Sequence, residues 1–138
     1  MIGVSLICHG LMADGLKDSV GLIIGEQEYF QTLGLFEGND FEQFKEDAYQ
    51  TIVKSQNGDG VIVFTDMMGA SPFNAASMNA GRLREGNIPV RVIAGVNLPM
   101  LIETFMQRDS ADGLGELYKI ALEAGRDSIR ELFDEMGA

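Results

Sequence analysis

The sequence predicts an α/β fold: a doubly wound, four-stranded parallel sheet in the order 2-1-3-4, with helices on both faces. Short runs rich in β-branched and aromatic residues alternate along the chain with longer segments that repeat apolar residues at helical spacing. Such alternation builds right-handed βαβ units and a parallel sheet. With 138 residues and 46% hydrophobic content, the chain is long enough for one well-filled core. We therefore predict a single domain over residues 1–138.

The first strand and the first helix are predicted at residues 2–10 and 11–24. The strand is an apolar run typical of a strand that is covered on both faces. The helix is expected to bury one apolar face. We assign to that face Met12, Leu16, Val20, Ile23 and Ile24. Gly25 is expected to end the helix, because glycine readily adopts the left-handed conformation found at helix C-termini.

In the middle of the chain, a segment rich in aromatic and apolar residues predicts a second strand at 29–36. A helix at 41–55 follows, and either Asn39 or Asp40 can cap its N-terminus. A wholly apolar strand is then predicted at 61–64.

After the third strand, a helix is predicted at 71–84, with Ser71 as its N-cap and Pro72 at its first helical position. Asn97 is expected to cap a later helix. Gly125 is expected to interrupt the last helix, since an internal glycine costs about 1 kcal/mol. The remaining predicted elements are a strand at 90–94, a helix at 98–107, a polar loop at 109–115, and a final helix that begins near 117 and resumes at 126–136.

The composition argues against several classes of function. A formal net charge of −11 disfavours binding to nucleic acid, which needs clustered Lys and Arg. One cysteine cannot form an internal disulfide and suits a reducing compartment. Residues 1–8 lack the basic leader of a signal peptide, and no apolar run approaches the roughly 18 residues that a membrane span needs. We expect a cytoplasmic protein with no direct membrane insertion.

Two polar residues end neighbouring strands of the predicted sheet. His9, the only histidine, ends strand 1, and Asp66 follows strand 3. In the order 2-1-3-4 these strands are adjacent at the switch point of the sheet, about 4.8 Å apart. Asp66 can therefore accept a hydrogen bond from one ring nitrogen and leave the other as a nucleophile. On position alone, a structural His9 and a loop-capping Asp66 remain open alternatives.

A helix N-terminus is expected at the same crevice, next to Gly69, Ala70 and Ser71. Free backbone N–H groups and the positive end of the helix dipole favour a bound anion such as phosphate. The Ser71 hydroxyl either caps the helix or donates to that anion. A histidine, an orienting carboxylate and an anion site together fit phosphoryl transfer through a phosphohistidine.

Other chemistries lack the residues that they need. Cys8 and His9 are adjacent on a strand and point to opposite faces, which argues against a metal site and against a Cys–His catalytic pair. Neither a dinucleotide-binding G-x-G-x-x-G pattern nor a P-loop pattern is present. The eight methionines are typical of core filling. We expect neither a metal nor a cofactor.

Several motifs resemble the IIA component of the mannose-family sugar phosphotransferase system (PTS). They are His9-Gly10, Gly25-Glu26-Gln27, Asp66, Gly69-Ala70-Ser71-Pro72-Phe73-Asn74-Ala75-Ala76, and Val92-Ile93-Ala94-Gly95-Val96-Asn97-Leu98-Pro99-Met100-Leu101. The SPFNAA and AGVNLPML strings are the most specific of these. Together the motifs extend over nearly the whole chain up to about residue 125.

The resemblance implies a cytoplasmic phosphocarrier. Such a protein takes a phosphoryl group from the histidine-containing phosphocarrier protein HPr and passes it to a IIB component, which phosphorylates a sugar during its transport. By the same match, His9 is phosphorylated at Nε2 and Asp66 is the partner of its Nδ1. The phosphoryl oxygens would be held by Ser71 and by the surrounding loop residues Gly10, Gly69 and Ala70.

The resemblance also implies a homodimer, in which subunits exchange a short antiparallel edge strand near the C-terminus. We expect any IIB partner to be a separate polypeptide. Met67 and Met68 stand where relatives often carry a small polar residue and an aromatic one, and Ala70 stands where glycine is common. These departures leave the backbone N–H groups of the loop able to donate to phosphate.

Two alternatives to a sugar-transport phosphocarrier remain open. The phosphotransfer subunit of a dihydroxyacetone kinase also uses a histidine after strand 1, although the SPFNAA and AGVNLPML strings favour the sugar transporter. The other alternative is a regulatory or binding module that keeps the crevice without turnover.

Overall fold

A computed structural model describes residues 1–137 of the chain. The chain folds around a four-stranded parallel sheet in the order β2-β1-β3-β4, so the predicted topology is confirmed. The strands are β1 (Gly3–His9), β2 (Phe30–Leu35), β3 (Val61–Thr65) and β4 (Val90–Ala94). Every strand boundary lies within one residue of its prediction. Ala138, the last residue of the predicted domain, lies outside the described residues.

Helices cover both faces of this sheet. They are α1 (Met12–Ile24), α2 (Phe41–Ser55), α3 (Ser71–Met78), α4 (Ala80–Glu85), α5 (Leu98–Gln107), α6 (Gly113–Asp127) and α7 (Leu132–Met136). One core lies between the sheet and α1, α5 and α6, and a second lies between the sheet and α2, α3 and α4. Because strand side chains alternate between faces, Leu6 and Phe64 enter the first core while Ile7 and Val63 enter the second.

Three of the predicted helix ends are confirmed. The Asp40 carboxylate accepts the backbone N–H of Gln43 at 3.0 Å and caps α2. The Asn97 side-chain oxygen accepts the N–H of Met100 at 3.0 Å and caps α5. Gly25 ends α1 with a φ of +84°, a conformation that favours glycine.

The helix predicted at 71–84 is two helices, α3 and α4, that meet at Asn79. The buried Asn79 amide donates to the carbonyls of Lys45 on α2 at 2.8 Å and of Ala75 at 2.9 Å. These bonds tie the junction to the neighbouring helix and replace part of the regular helical pattern. The prediction of one helix was wrong because apolar periodicity carries no information about such a tertiary hydrogen bond.

The C-terminal helices also differ from the prediction. Helix α6 begins at Gly113 rather than near residue 117, and it continues through Gly125, so the predicted interruption there is wrong. Gly125 faces Met100 of α5, and a methyl group at this position would overlap the Met100 side chain. Close packing of α5 on α6 therefore outweighs the low helix propensity of glycine. The helix breaks instead at residues 128–131, before α7.

The apolar face of α1 is narrower than predicted. Met12 and Ile23 are exposed, because α1 rests on the core mainly through Ala13 and Val20. Within residues 1–137, β4 forms the edge of the sheet and no antiparallel strand pairs with it, so the expected edge strand is not confirmed. In the described part of the chain, no helix is both long and apolar enough to cross a bilayer.

Candidate active site

His9 lies at the carboxyl edge of the sheet with its side chain 50% exposed, and Asp66 contacts it twice. The Asp66 Oδ2 atom lies 2.7 Å from the ring Nδ1 of His9 and accepts the backbone N–H of the same residue at 2.8 Å. The predicted hydrogen bond between the two side chains is therefore present. The other ring nitrogen, Nε2, makes no hydrogen bond to residues 1–137, and the exposed ring gives a reactant access to it.

The strand register explains why one carboxylate reaches both groups. Ile7 and Thr65 form the last pair between β1 and β3, so Asp66 lies one residue beyond the paired segment. The N–H of His9, two residues after Ile7, therefore bonds to the Asp66 carboxylate instead of a strand carbonyl. Parallel pairing thus fixes the height of the carboxylate relative to the imidazole.

Asp66 is largely buried, with its side chain 11% exposed. Burial alone raises the pKa of the carboxyl, but the hydrogen bonds from the backbone and ring of His9, with the attraction of that ring, outweigh it. The pKa of Asp66 is lowered as a result. Its Oδ1 atom is buried and has no hydrogen-bond partner within residues 1–137. Within the described chain, the Asp66 carboxylate therefore accepts side-chain and backbone hydrogen bonds from His9 through Oδ2 and none through Oδ1.

Cys8 precedes His9 and points into the opposite side of the sheet, as predicted. It is fully buried in the core beneath α1, α5 and α6. Burial first, and the nearby charge of Asp66 second, raise the pKa of its thiol to about 12. The thiol is therefore protonated at neutral pH and is not a nucleophile. Across residues 1–137, no group of three or more His, Cys, Asp or Glu side chains is arranged to hold a metal ion.

Four helices begin after strands at this edge, and they fall into two classes. Helices α2 and α5 have side-chain caps, whereas α1 and α3 have none. Helix α1 begins three residues after His9, and α3 begins five residues after Asp66. An uncapped first turn leaves its N–H groups available to an anion. The two helices that follow the His9–Asp66 pair thus keep these groups available.

Ser71 is not the N-cap of α3, so that prediction is wrong. Ala70 takes this place because its backbone is extended, with φ −81° and ψ 172°, while Ser71 is already the first helical residue. The Ser71 hydroxyl makes no hydrogen bond within the described residues, and neither does its backbone N–H. Both groups can donate to an anion at the start of α3.

The other three predicted phosphate contacts differ in what they can donate. Gly10 (φ +55°) and Gly69 (φ +78°) have left-handed backbones, which strain other residues. The N–H of Gly10 donates to the Leu35 carbonyl on β2 at 2.7 Å. The N–H of Ala70 makes a longer bond, 3.3 Å, to the Met67 carbonyl. The N–H of Gly69 has no acceptor within residues 1–137.

Sequence reasoning missed two residues beside the site. Gly34 lies on β2, where a methyl group would overlap the Gly10 carbonyl oxygen. A glycine inside a strand pattern is a known signal of such close backbone approach. Asn74 lies on α3, and its side-chain amide donates to the Gly69 carbonyl at 3.0 Å. Its place in the SPFNAA string was visible, but nothing in the string indicates this contact.

Comparison with known proteins relates this geometry to one family. A family model described as "PTS system fructose IIA component" matches residues 3–122. The mannose-specific EIIAB component of Escherichia coli (strain K12) is 35% identical over 131 residues, which cover 95% of this chain but 39% of that protein. The chain thus spans about two fifths of the length of this relative.

Two further comparisons agree. The fructose-specific EIIA component of Bacillus subtilis (strain 168) is 29% identical over 109 residues, covering 79% of this chain and 72% of that protein. The crystal structure of a phosphotransferase system component EIIA from Streptococcus agalactiae superposes with a TM-score of 0.83 at 25% identity, covering 95% and 97% of the two chains. Since the family model alone matches most of the sequence, the chain belongs to the PTS fructose IIA component (EIIA-man) family, whose members are phosphotransferase proteins.

Proposed function

We propose that this protein is a cytoplasmic phosphocarrier that accepts a phosphoryl group from phospho-HPr on Nε2 of His9 and passes it to a IIB component for sugar uptake. The observation that carries this proposal is the double hydrogen bond from His9 to Asp66 Oδ2, at 2.7 and 2.8 Å. One bond fixes the backbone of His9, and the other fixes its ring. With Nδ1 engaged, Nε2 is the nitrogen left to react.

The proposed step is an in-line transfer between two nitrogen atoms. The Nε2 lone pair of His9 forms a bond to phosphorus as the bond to the HPr histidine breaks, and that histidine retains the released electron pair. Asp66 stabilises the positive charge that develops on the ring of His9. Both donor and product are reactive phosphohistidines, so the step is nearly balanced and depends mainly on positioning and charge compensation.

Backbone N–H groups and one hydroxyl are proposed to hold the phosphoryl oxygens. Ser71 offers its hydroxyl and its N–H, and Gly69 offers an N–H with no protein acceptor in the described chain. The bond from the N–H of Ala70 to the Met67 carbonyl, at 3.3 Å, is long enough for a phosphoryl oxygen to share this donor. Gly10 contributes its left-handed turn, which leads from His9 into the uncapped start of α1.

The surroundings of His9 fit a protein as the phosphoryl donor. Large apolar side chains follow three strand ends at this edge and are exposed: Leu11, Phe36, Met67 and Met68. Exposed apolar side chains around a reactive group are typical of surfaces that bind other proteins. The two methionines are flexible enough to adapt to two different partners, HPr and the IIB component.

We propose that two copies of the chain form a homodimer through the edge of β4, which has no neighbouring strand within residues 1–137. A groove of about 610 Å³ follows this edge, with Tyr118 and Leu122 on one side and the cationic Arg91 and Arg126 beside them. An unpaired strand edge attracts another strand. Residues 128–136 of a second copy suit this groove, because they combine exposed apolar side chains with acidic ones. These are Ile129, Leu132, Phe133 and Met136 with Glu131, Asp134 and Glu135. Residues 128–131 lie outside the helices and are the part proposed to pair with the strand edge, while α7 (Leu132–Met136) is proposed to lie in the groove.

Phosphorylation in a reconstituted system tests the proposed reaction. The protein is mixed with phosphoenolpyruvate, enzyme I and HPr, and its mass is expected to rise by one phosphoryl group that is labile in acid and stable in base. The label is expected on His9, to be absent from His9→Gln, and to pass to an added IIB protein. Failure of the wild type to be labelled by phospho-HPr contradicts the proposal, and phosphorylation of ADP on a partner protein indicates the kinase alternative instead.

Light scattering tests the dimer separately. Wild type is expected to have twice the mass of one chain, and Phe133→Glu to shift it toward one chain by placing a charge on the apolar side of the segment. Leu22→Glu, at a more exposed apolar site on α1, is the control and is expected to leave the mass unchanged. A monomeric wild type rules out the homodimer without affecting the proposed reaction.

A further inference from the structure

Asn74 links helix α3 to the loop that precedes it. Its side-chain Nδ2 donates to the Gly69 carbonyl at 3.0 Å, and its backbone N–H donates to the Ala70 carbonyl at 2.9 Å. Two successive carbonyls of the loop are therefore held by one residue in the first turn of the helix. Asn74 is itself exposed and belongs to neither core.

The side-chain bond determines the orientation of a peptide unit at the site. Gly69 has a left-handed backbone and precedes the N-cap, so the regular hydrogen bonds of α3 do not constrain its carbonyl. Because a peptide unit is planar, a fixed Gly69 carbonyl also fixes the direction of the Ala70 N–H. The following N–H, that of Ser71, depends on the same chain direction.

We infer that Asn74 is a positioning residue for phosphoryl transfer. It holds the loop after Asp66 in one conformation, so that the N–H groups of Gly69 and Ser71, which have no acceptor within residues 1–137, and the weakly bonded N–H of Ala70 are in place before the group on His9 arrives. This inference rests on the proposed phosphocarrier function. Fixing donors in advance avoids reorganisation during transfer, and small displacements of such groups slow reactions strongly.

Two asparagines on neighbouring turns allow a matched experiment. Asn74→Ala removes the bond to Gly69 at an exposed position. Asn79→Ala removes two side-chain bonds of similar length, 2.8 and 2.9 Å, at the buried junction of α3 and α4. If Asn74 positions the loop, its variant loses transfer rate with little change in the unfolding midpoint. The Asn79 variant is expected to lose stability while its folded fraction transfers normally.

Rapid-quench measurements at increasing phospho-HPr concentration separate binding from transfer. For Asn74→Ala we expect the maximal transfer rate to fall about 10- to 100-fold, while the half-saturating concentration of phospho-HPr changes less than twofold. Asn74→Asp is expected to be at least as slow, since a carboxylate cannot donate to the carbonyl. Amide hydrogen exchange at Ala70, whose N–H donates to the Met67 carbonyl, is expected to be faster in Asn74→Ala than in wild type or Asn79→Ala.

The outcomes distinguish this inference from the function on which it rests. An unlabelled wild type contradicts the phosphocarrier function. A labelled wild type with an equally fast Asn74→Ala variant overturns the positioning role alone. A variant that loses affinity for phospho-HPr rather than maximal rate also overturns it, because the side chain would then contact the partner instead of orienting the loop.

Discussion

A single oxygen of Asp66, Oδ2, accepts hydrogen bonds from both the backbone N–H and the ring Nδ1 of His9. The two donors belong to one residue, so the carboxylate restrains the direction of the ring relative to its own strand. A ring bond alone would leave the His9 N–H without an acceptor on the β3 side, and a backbone bond alone would leave the ring free to rotate. The combination leaves Nε2 as the ring nitrogen without a hydrogen-bond partner in the described chain.

Replacement of Asp66 by Asn is expected to slow phosphoryl transfer to His9 about 10- to 100-fold. An amide oxygen is a weaker acceptor than a carboxylate and carries no charge to stabilise the developing imidazolium. Rapid-quench transfer from phospho-HPr measures the effect. Asp18→Asn, on the exposed side of α1, makes the same chemical change away from the site and is expected to transfer normally. An Asp66→Asn protein that exchanges phosphate at the wild-type rate would remove Asp66 from the mechanism.

The lowered pKa of Asp66 predicts a pH dependence of stability. A free Asp titrates at about 3.9, and the folded-state pKa lies below its usual value. The ionised carboxylate therefore stabilises the fold above about pH 4, and this contribution is lost as pH falls through the folded pKa. In urea unfolding between pH 2 and 7, the free-energy difference between wild type and Asp66→Asn is expected to shrink as pH falls. A difference that does not change with pH would contradict this assignment.

The sequence was sufficient to predict the order of the strands in the sheet and the pairing of His9 with Asp66. Strand order follows from alternation and handedness, and strand order makes His9 and Asp66 neighbours. The opposite directions of the Cys8 and His9 side chains follow from the period of two along a strand, and the exposure of the ring follows from its place at the strand end. These features depend on regular strand and helix geometry, which can be predicted from local apolar patterns and turn residues.

Most of what the sequence could not predict depends on contacts between distant segments. Asn79 breaks a helix because of a carbonyl on α2, and Gly125 remains helical because Met100 packs against it. The cap of α3 falls on Ala70 rather than Ser71, although Ser is the commoner capping residue. Local propensity favoured a different outcome in each case, and the folded structure overrode it.

The Cys8 thiol is expected to resist alkylation in the folded protein. Its pKa rises from the usual 9.0 to about 12, so the reactive thiolate is about a thousandfold rarer than in the unfolded chain at pH 8. Iodoacetamide labelling followed by mass spectrometry, with and without urea, measures the ratio. Cys8→Ala gives the background. Because the raised pKa favours the neutral thiol, stability is also expected to fall as pH rises from about 9 towards 12. Rapid labelling of the native protein would contradict the buried position.

Replacement of Gly34 by Ala is expected to damage both the fold and the site. The added methyl group would meet the Gly10 carbonyl oxygen, a backbone atom that cannot move without shifting the turn after His9. Overpacking of this kind costs about 1 to 3 kcal/mol of unfolding free energy. Because Gly10 also donates to Leu35 at 2.7 Å, the strain is expected to reach the end of β1 and slow labelling of His9.

Gly21→Ala is the matched control for this substitution. Gly21 lies in the interior of α1, and a methyl group there meets no atom within 4 Å. Since alanine is the better helix former, this variant is expected to gain about 0.5 to 1 kcal/mol and to be phosphorylated like wild type. Urea unfolding and the labelling assay are applied to both variants. The comparison separates the general effect of replacing a glycine from the specific effect of crowding the Gly10 carbonyl. If Gly34→Ala is as stable and as readily labelled as wild type, the contact between β2 and the turn at Gly10 does not constrain His9.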